Sequence, residues 1–208
     1  MKYKHIVFDV DGTLVDNATA VLKTWQDTIK QVTGRTYTAE ELGFVMGISS
    51  NKAIEQLGLT PNRHLFKLWE ANYKKHYNEV KLFKDITSVL NHLKKDGYIL
   101  GIVTSRTHYE LSEDEVMKAI LPFFDTKICV EDASQPKPSP APLLAYIAQS
   151  NAVANEILYI GDTLNDATCA KAANIHFVWA AWGLSIKENN LFADDVCKQP
   201  IEITQLVR

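Results

Sequence analysis

Two aspartates, Asp9 and Asp11, stand two residues apart directly before Gly12. A carboxylate can attack phosphorus and form an acyl phosphate. A second carboxylate beside it can protonate a leaving oxygen and later deprotonate water. Alone, the pair reads equally well as an acidic turn, because Asp-Gly is a common turn pair. The rest of the chain decides. Thr104 and Ser105, then Lys137, then Asp162 and Asp166, follow in order. Four acidic groups held together repel unless a cation sits among them. Oxygen donors without His or Cys suit Mg²⁺, which keeps waters and recruits substrate phosphate. A lysine and a hydroxyl beside that ion suit the spread charge of a transferring phosphoryl group. The residue types alone do not rank Asp9 over Asp11 as nucleophile.

These side chains must be brought together by the elements that carry them. His5-Ile6-Val7-Phe8 is a short apolar run that stops at Asp9, as a buried parallel strand does. The spacing predicts further strands over 98–103, 128–130, 157–160 and 176–180, the last being the final clear one. Helices are expected over 85–96, 111–120, from Pro140 or Ala141 through Ile147, and over 164–173. Strands alternating with helices argue an α/β fold with a doubly wound parallel sheet. Ligands of such sheets bind at the carboxyl ends of strands. Asp9 and Asp11, Thr104 and Ser105, and Asp162 and Asp166 all follow predicted strands, and Lys137 lies in a proline-stiffened loop between them.

Between the first two strands the pattern is helical throughout. Ala18, Leu22, Trp25, Ile29 and Val32 recur at helical steps, with Asn17 available as a cap and Gly34 as a stop. Thr38 to Glu41 reads as a capping box opening a short second helix. Ser49-Ser50 offers a cap for a helix over 51–57. Thr60-Pro61 suits the start of another, running toward Val80. Residues 16–81 are therefore expected to form an all-helical inserted domain without strands. Residues 1–15 and 82–208 form the α/β core.

The chain has 208 residues, 46% hydrophobic and 23% charged, with a net charge of −3. That balance indicates neither a nucleic-acid surface nor a polybasic membrane patch. The opening apolar run is cut by Asp9 and is too short for a secretion signal. No stretch approaches a membrane span; residues 177–184 are the most apolar window late in the chain. Cys129, Cys169 and Cys197 lack metal-ligand spacing and read as buried or free thiols of a reducing cytoplasm.

The motifs together resemble the haloacid dehalogenase superfamily, in its phosphoglycolate-phosphatase-like branch. Asp9-Val10-Asp11-Gly12-Thr13-Leu14-Val15-Asp16 matches the first family motif and Val103-Thr104-Ser105 the second. Lys137-Pro138 matches the third and Gly161-Asp162-Thr163-Leu164-Asn165-Asp166 the fourth. The helical insert is similar to the family's mobile cap. The resemblance implies a Mg²⁺-dependent phosphatase acting on a small phosphorylated metabolite. It implies Asp9 as nucleophile and Asp11 as general acid and base, its carbonyl also touching the metal. Thr104 and Ser105 would meet the phosphoryl group, Lys137 would neutralise charge, and Asp162 and Asp166 would serve the metal, as would Asp9.

Asp11 separates the chain from the dehalogenases, which resemble it but lack the second aspartate because a leaving halide needs no proton. The β-phosphoglucomutases hold a second phosphate with basic residues around a cap loop. Here that loop is Met46-Gly47-Ile48-Ser49-Ser50, with no basic residue before Lys52. Nothing around Lys52 suggests the imine chemistry of phosphonatases. A non-enzymatic receiver domain gathers similar groups around Mg²⁺ but has no helical insert and no second acidic pair after its lysine. Arg106 and His108 are expected to make ordinary loop contacts and Lys52 to be a solvated helix residue. Trp25 and Trp69 are expected to pack the insert's core, and Trp179 and Trp182 to pack near a strand end. Neither the specific phosphate ester nor the oligomeric state is legible.

Overall fold

A computed structural model describes residues 2–46, 48–183 and 192–207. Gly47, within the predicted loop, and Leu184, at the end of the late apolar window, lie outside the described residues. The first strand, β1 (His5–Phe8), is buried along its whole length. After it come β2 (Val15–Asp16), α1 (Ala18–Thr33), α2 (Ser50–Gln56), α3 (Arg63–His76) and β3 (Lys81–Leu82). The remainder alternates as α4 (Ile86–Lys95), β4 (Ile99–Val103), α5 (His108–Glu113), α6 (Glu115–Lys118), β5 (Thr126–Ile128) and α7 (Ala141–Ser150). It ends in β6 (Ile157–Gly161), α8 (Leu164–Ala172), β7 (His176–Ala180), β8 (Asp195–Cys197) and α9 (Ile203–Leu206).

Six strands form one parallel sheet in the order β5-β4-β1-β6-β7-β8. The central β1 pairs Phe8 with Ile102 on one side and Ile160 on the other. The carboxyl ends of β4, β1 and β6 therefore lie side by side. Successive side chains alternate between two apolar layers, as strand geometry requires. Ile6 and Phe8 pack with Val89, Leu90, Leu93 and Ile203 on one face. Val7 packs with Leu143, Tyr146, Ala167 and Ala170 on the other. Helices thus cover both faces, and the doubly wound α/β reading holds.

Several local expectations change. Residues 16–81 are not free of strands. β2 and β3 pair antiparallel, Val15 with Leu82 and Asp16 with Lys81, at the two ends of the helical segment. The expected capping box at Thr38 forms, with Glu41 N donating to Thr38 Oγ1 at 3.2 Å. It opens only turns and a 3₁₀ segment at Gly43–Val45. Asn62, not Thr60, caps α3, because its side-chain oxygen accepts from Leu65 N at 2.9 Å. α3 ends at His76 and continues as 3₁₀ at Tyr77–Glu79. The single helix expected over 111–120 is two. Asp114 accepts from Val116 N and Met117 N at 2.8 and 3.0 Å and so restarts the helix. β5 ends at Ile128, since Cys129 N turns to Asp132 Oδ2 at 2.7 Å and opens a 3₁₀ turn. β8 adds an edge strand beyond β7.

Other readings stand. Ser49 caps α2 and Gly34 ends α1 at φ 73°. The helical segment carries its own cluster of buried residues, including Trp25, Ile29, Leu42, Val45, Ile54 and Leu65, with Trp69 against it. The three cysteines are free and buried. Among the described residues no helix is long and apolar enough to cross a membrane.

Candidate active site

Asp9 follows β1, where its amide donates to Ile160 O at 2.9 Å and so fixes its backbone to β6. The chain then turns tightly: Thr13, Leu14 and Val15 all donate to Val10 O. Gly12 sits in this turn at φ 82°. A Cβ there would lie 2.1 Å from Asp162 Oδ2, so only glycine lets the β1 and β6 ends approach. Asp162 also accepts from Thr13 Oγ1 at 3.3 Å.

Lys137 reaches this edge from the loop before α7. Its Nζ donates to Asp9 Oδ1 at 2.8 Å, Asp166 Oδ1 at 2.6 Å and Tyr159 OH at 3.2 Å. Both Lys137 and Asp9 are buried. Asp166, on the first turn of α8, is buried completely. One of its oxygens accepts from Lys137 and from Tyr159 OH at 2.7 Å; the other accepts from Thr163 N and Oγ1. Burial pushes the Asp9 carboxyl up to about 7, against the pull of Lys137, with Asp166 and Asp11 adding to the rise. Burial opposes the charge on Lys137, but Asp166 and Asp9 outweigh it and the ammonium is held more firmly than usual.

Asp11 has the opposite surroundings. Arg106 grips it from the loop after β4: Nε donates to Oδ1 and Oδ2 at 3.1 and 3.0 Å, and a terminal nitrogen donates to Oδ1 at 2.6 Å. Asn17 Nδ2 also donates to Asp11. Arg106 extends to Asp114 Oδ2 at 2.7 Å, and Tyr77 OH donates to Asp114 Oδ1 at 2.9 Å. Burial alone would raise the Asp11 carboxyl, but Arg106 and Asn17 outweigh it and hold the group below its ordinary value. Asp9 and Asp11 are thus neighbours in sequence with shifts of opposite sign.

Thr104 is buried at the end of β4, and its Oγ1 accepts from Arg106 N at 3.2 Å. Ser105 lines a cavity of about 440 Å³ that also touches Asp9, Asp11, Asn17 and the helical segment. Met46, Ile48, Ser49 and Ser50 line that cavity, whereas Lys52 does not. His108 makes a surface pair with Asp132 at 2.9 Å, as expected of a loop residue. Arg106 overturns the loop-contact expectation, being buried between two carboxylates. Tyr159 and the diversion of Asn17 from capping to Asp11 also escaped sequence reading: Asn17 sits at the α1 N-cap but makes no side-chain capping bond. The signal for Arg106 was a cation three residues beyond a strand end, and its partner lies 95 residues away. Trp182 packs by the turn and donates to Thr13 O at 2.9 Å.

Among the described residues, carboxylate oxygens of Asp9, Asp162 and Asp166 lie within 4.8 Å of one another. The donor set is all oxygen. Three buried carboxylates brought this close, with oxygen donors alone, suit a hard divalent cation. His108, Cys129 and Glu131 also gather. There burial, then Asp132 and Glu131, push the thiol up to about 12, and His108 already faces Asp132.

The chain is similar to several known proteins. The pyrophosphatase PpaX of Bacillus velezensis is 26% identical over 178 residues, 85% of this chain and 82% of that protein. The Oceanobacillus iheyensis PpaX is 27% identical over 191 residues, 91% and 88% of the two chains. A solved Lactobacillus plantarum structure, described as a candidate phosphoglycolate phosphatase, superposes with a TM-score of 0.84 at 26% identity, covering 99% of this chain and 100% of that one. The family model described as haloacid dehalogenase-like hydrolase matches residues 6–180, from the first residues of β1 to the end of β7. The chain belongs to the haloacid dehalogenase-like hydrolase family and is an enzyme of that family.

Proposed function

We propose that the chain is a Mg²⁺-dependent phosphatase that hydrolyses small phosphomonoesters through an aspartyl phosphate on Asp9, in the manner of phosphoglycolate phosphatases. The observation that carries this reading is the buried contact of Lys137 with both Asp9 and Asp166, beside Asp162. Asp9 Oδ2 is the oxygen free to attack, since Lys137 holds Oδ1. Attack forms the carboxyl–phosphorus bond and breaks the bond to the ester oxygen. Lys137 holds the nucleophile in place and offsets phosphoryl charge, with Thr104 and Ser105 beside it. Mg²⁺, held by Asp9, Asp162 and the Asp11 carbonyl, would supply charge neutralisation for the phosphoryl oxygens. Asp166 is saturated by Lys137, Tyr159 and Thr163, so its role is to fix the lysine and to add negative charge behind the metal.

Asp11 gives its proton to the leaving oxygen and takes one from the water that cleaves the acyl phosphate. Its grip by Arg106 makes it a carboxylate at rest, suited to the second step. The charge of an arriving phosphoryl group raises its proton affinity for the first.

Residues 16–81 act as a cap over the core formed by 1–15 and 82–208. Their separate apolar cluster and the β2–β3 pairing at their base support this reading. A mutase needs cations for a second phosphate. Among the described residues the cations lining the cavity are Lys74 and Arg106, and Arg106 is already committed to Asp11 and Asp114, which leaves exposed Lys74 alone.

The test is turnover of acetyl phosphate with Mg²⁺, with and without a chelator, and trapping of phosphorylated enzyme. Activity that survives thorough chelation, or an equally phosphorylated Asp9→Asn variant, overturns the reading.

A further inference from the structure

The cavity beside Asp9 and Asp11 is far larger than a phosphoryl group and has a marked chemistry. Its walls in the helical segment are aromatic: Trp25, Phe66, Trp69, Tyr73 and Tyr77. Trp69 and Tyr73 stack at 5.0 Å with ring planes 12° apart, and Tyr77 meets Tyr73 edge-on at 5.8 Å. Tyr109 stands at the opposite lip, 67% exposed. Beyond Asp9 and Asp11 the charged lining is mostly acidic, with Glu70, Glu110, Glu113, Asp114 and Glu115 against Lys74 and Arg106. Asp114 is neutralised by Arg106 and Glu115 pairs with Lys118 at 2.7 Å. Glu70 and Glu113 are exposed and have no ion pair among the described residues.

An anionic leaving group, such as a carboxylate or a second phosphate, would enter this space mostly against like charge, with exposed Lys74 the one lining cation among the described residues not already held by carboxylates. A small one would leave most of the 440 Å³ empty. Aromatic faces and unpaired carboxylates are what an organic ammonium group seeks, the faces through their quadrupole and the carboxylates through charge. We propose that the substrates are phosphate monoesters of ammonium-bearing alcohols, with the phosphoryl group at Asp9 and the ammonium against the Trp69–Tyr73 wall of the cavity that Glu70 and Glu113 also line. This rests on the phosphatase reading above.

One acyl phosphate and three esters test it with the protein and Mg²⁺, scored by kcat/KM: acetyl phosphate, phosphocholine, the neutral isostere of phosphocholine in which a tert-butyl group replaces the trimethylammonium, and phosphoglycolate. Inorganic pyrophosphate is run beside them. Acetyl phosphate reads the chemistry alone, and its failure would take down the phosphatase reading and this inference with it. Given that activity, phosphocholine should exceed its neutral isostere about tenfold, the scale of a desolvated cation–aromatic contact. It should exceed phosphoglycolate and pyrophosphate by more. Equal rates for phosphocholine and the isostere, or faster turnover of either anionic compound, overturn the inference and leave the phosphatase reading standing. Trp69→Leu should bring the phosphocholine-to-isostere ratio close to one. A ratio is insensitive to partial loss of folded enzyme. Glu113→Gln, at an exposed position, should lower the same ratio more modestly, and an unchanged ratio in both variants counts against the proposal.

Discussion

The sheet edge and the helical segment meet at one cavity but are built in opposite ways. At the sheet edge a run of buried polar side chains has its partners in place: Asp9 on Lys137, Lys137 on Asp166, Asp166 on Tyr159 and Thr163. The helical segment contributes aromatic walls and short loops, with Lys74 as its one cation among the lining residues described. The first arrangement fixes atoms to within a hydrogen bond, which phosphoryl transfer requires. The second fixes a shape and a sign of charge. Under the proposed reading the first region carries the chemistry and the second the choice of leaving group.

The largest effect should come from the sheet edge. Asp9→Asn keeps the shape of the side chain and removes the nucleophile. Turnover of acetyl phosphate should fall by roughly 10³-fold or more, as for the loss of other nucleophiles, and no phosphorylated enzyme should be trapped. A variant near wild-type rate would mean that Asp11 is the nucleophile, and the contrast drawn between the two aspartates would be reversed.

Next comes Arg106→Met. It strands Asp11 and Asp114, whose side chains are 23% and 5% exposed, without their shared cation. Removing one partner from such a buried network costs roughly 3–5 kcal/mol. The measurement is chemical denaturation of the full chain in parallel with kcat on acetyl phosphate. A variant as stable as the wild type would show that Arg106 is a loop residue after all.

How much of this was legible depended on whether a residue's role is local. The strands β1, β4 and β6 and the residues at their ends were legible, because apolar runs stopped by Asp, Thr or Gly-Asp carry their meaning within a few residues; β7 was legible as an apolar run alone. Lys137 was legible through its proline-stiffened loop. Arg106 was not, because its role is set by Asp11 on another strand and Asp114 on another helix. Tyr159 was hidden inside an apolar strand, where its hydroxyl reads as one more buried aromatic until Asp166 is placed against it. β2 and β3, with two residues each, and β8, with three, are too short to show alternation. At Thr60-Pro61 a good cap and a helix-starting proline were displaced by Asn62, whose side chain reaches the Leu65 amide. The sign of the cavity's charge was legible nowhere, since it arises from helices α3, α5 and α6 converging.

The two carboxylates also predict how protons and metal compete. Asp9 is ordinarily near 3.8 and is pushed up to about 7 by burial, with Lys137 opposing. A raised carboxyl contributes stability that is full below its unfolded value and is lost as pH rises through about 7. Asp11 is lowered, so its contribution is present above the ordinary carboxylate range and is lost as pH falls. If Asp9 holds Mg²⁺ as proposed, the ion needs it ionised, and the apparent affinity should weaken up to about tenfold per pH unit below that point. The check is the Mg²⁺-dependent shift in Tm at pH values either side of about 7. A shift that is the same on both sides would remove Asp9 from the metal's ligands and leave Asp162 to carry it.

The smallest expected effect tests the division of labour most directly, through Tyr73. This residue lies on α3 yet stands close to the Asp11–Arg106 pair. Burial pushes its hydroxyl up, with Arg106 opposing and Asp11 and Asp114 adding to the rise. The hydroxyl therefore stays protonated and is no proton donor of useful strength near neutral pH. What the residue supplies is a ring, stacked on Trp69 at 5.0 Å and met edge-on by Tyr77 at 5.8 Å. Tyr73→Phe keeps that ring and deletes one oxygen. It should cost about 0.5–1.5 kcal/mol of stability, the scale of one hydrogen bond. It should change kcat on acetyl phosphate by less than about tenfold, in keeping with a change of that size. Tyr73→Ala removes the ring as well and should cost roughly 3–5 kcal/mol, as large aromatic deletions do. The comparison of the two variants separates wall from chemistry. If Tyr73→Phe lost activity as severely as a change at Asp11, the helical segment would be supplying a catalytic group, and the division between a reactive sheet edge and a selective cover would fail at its nearest point of contact.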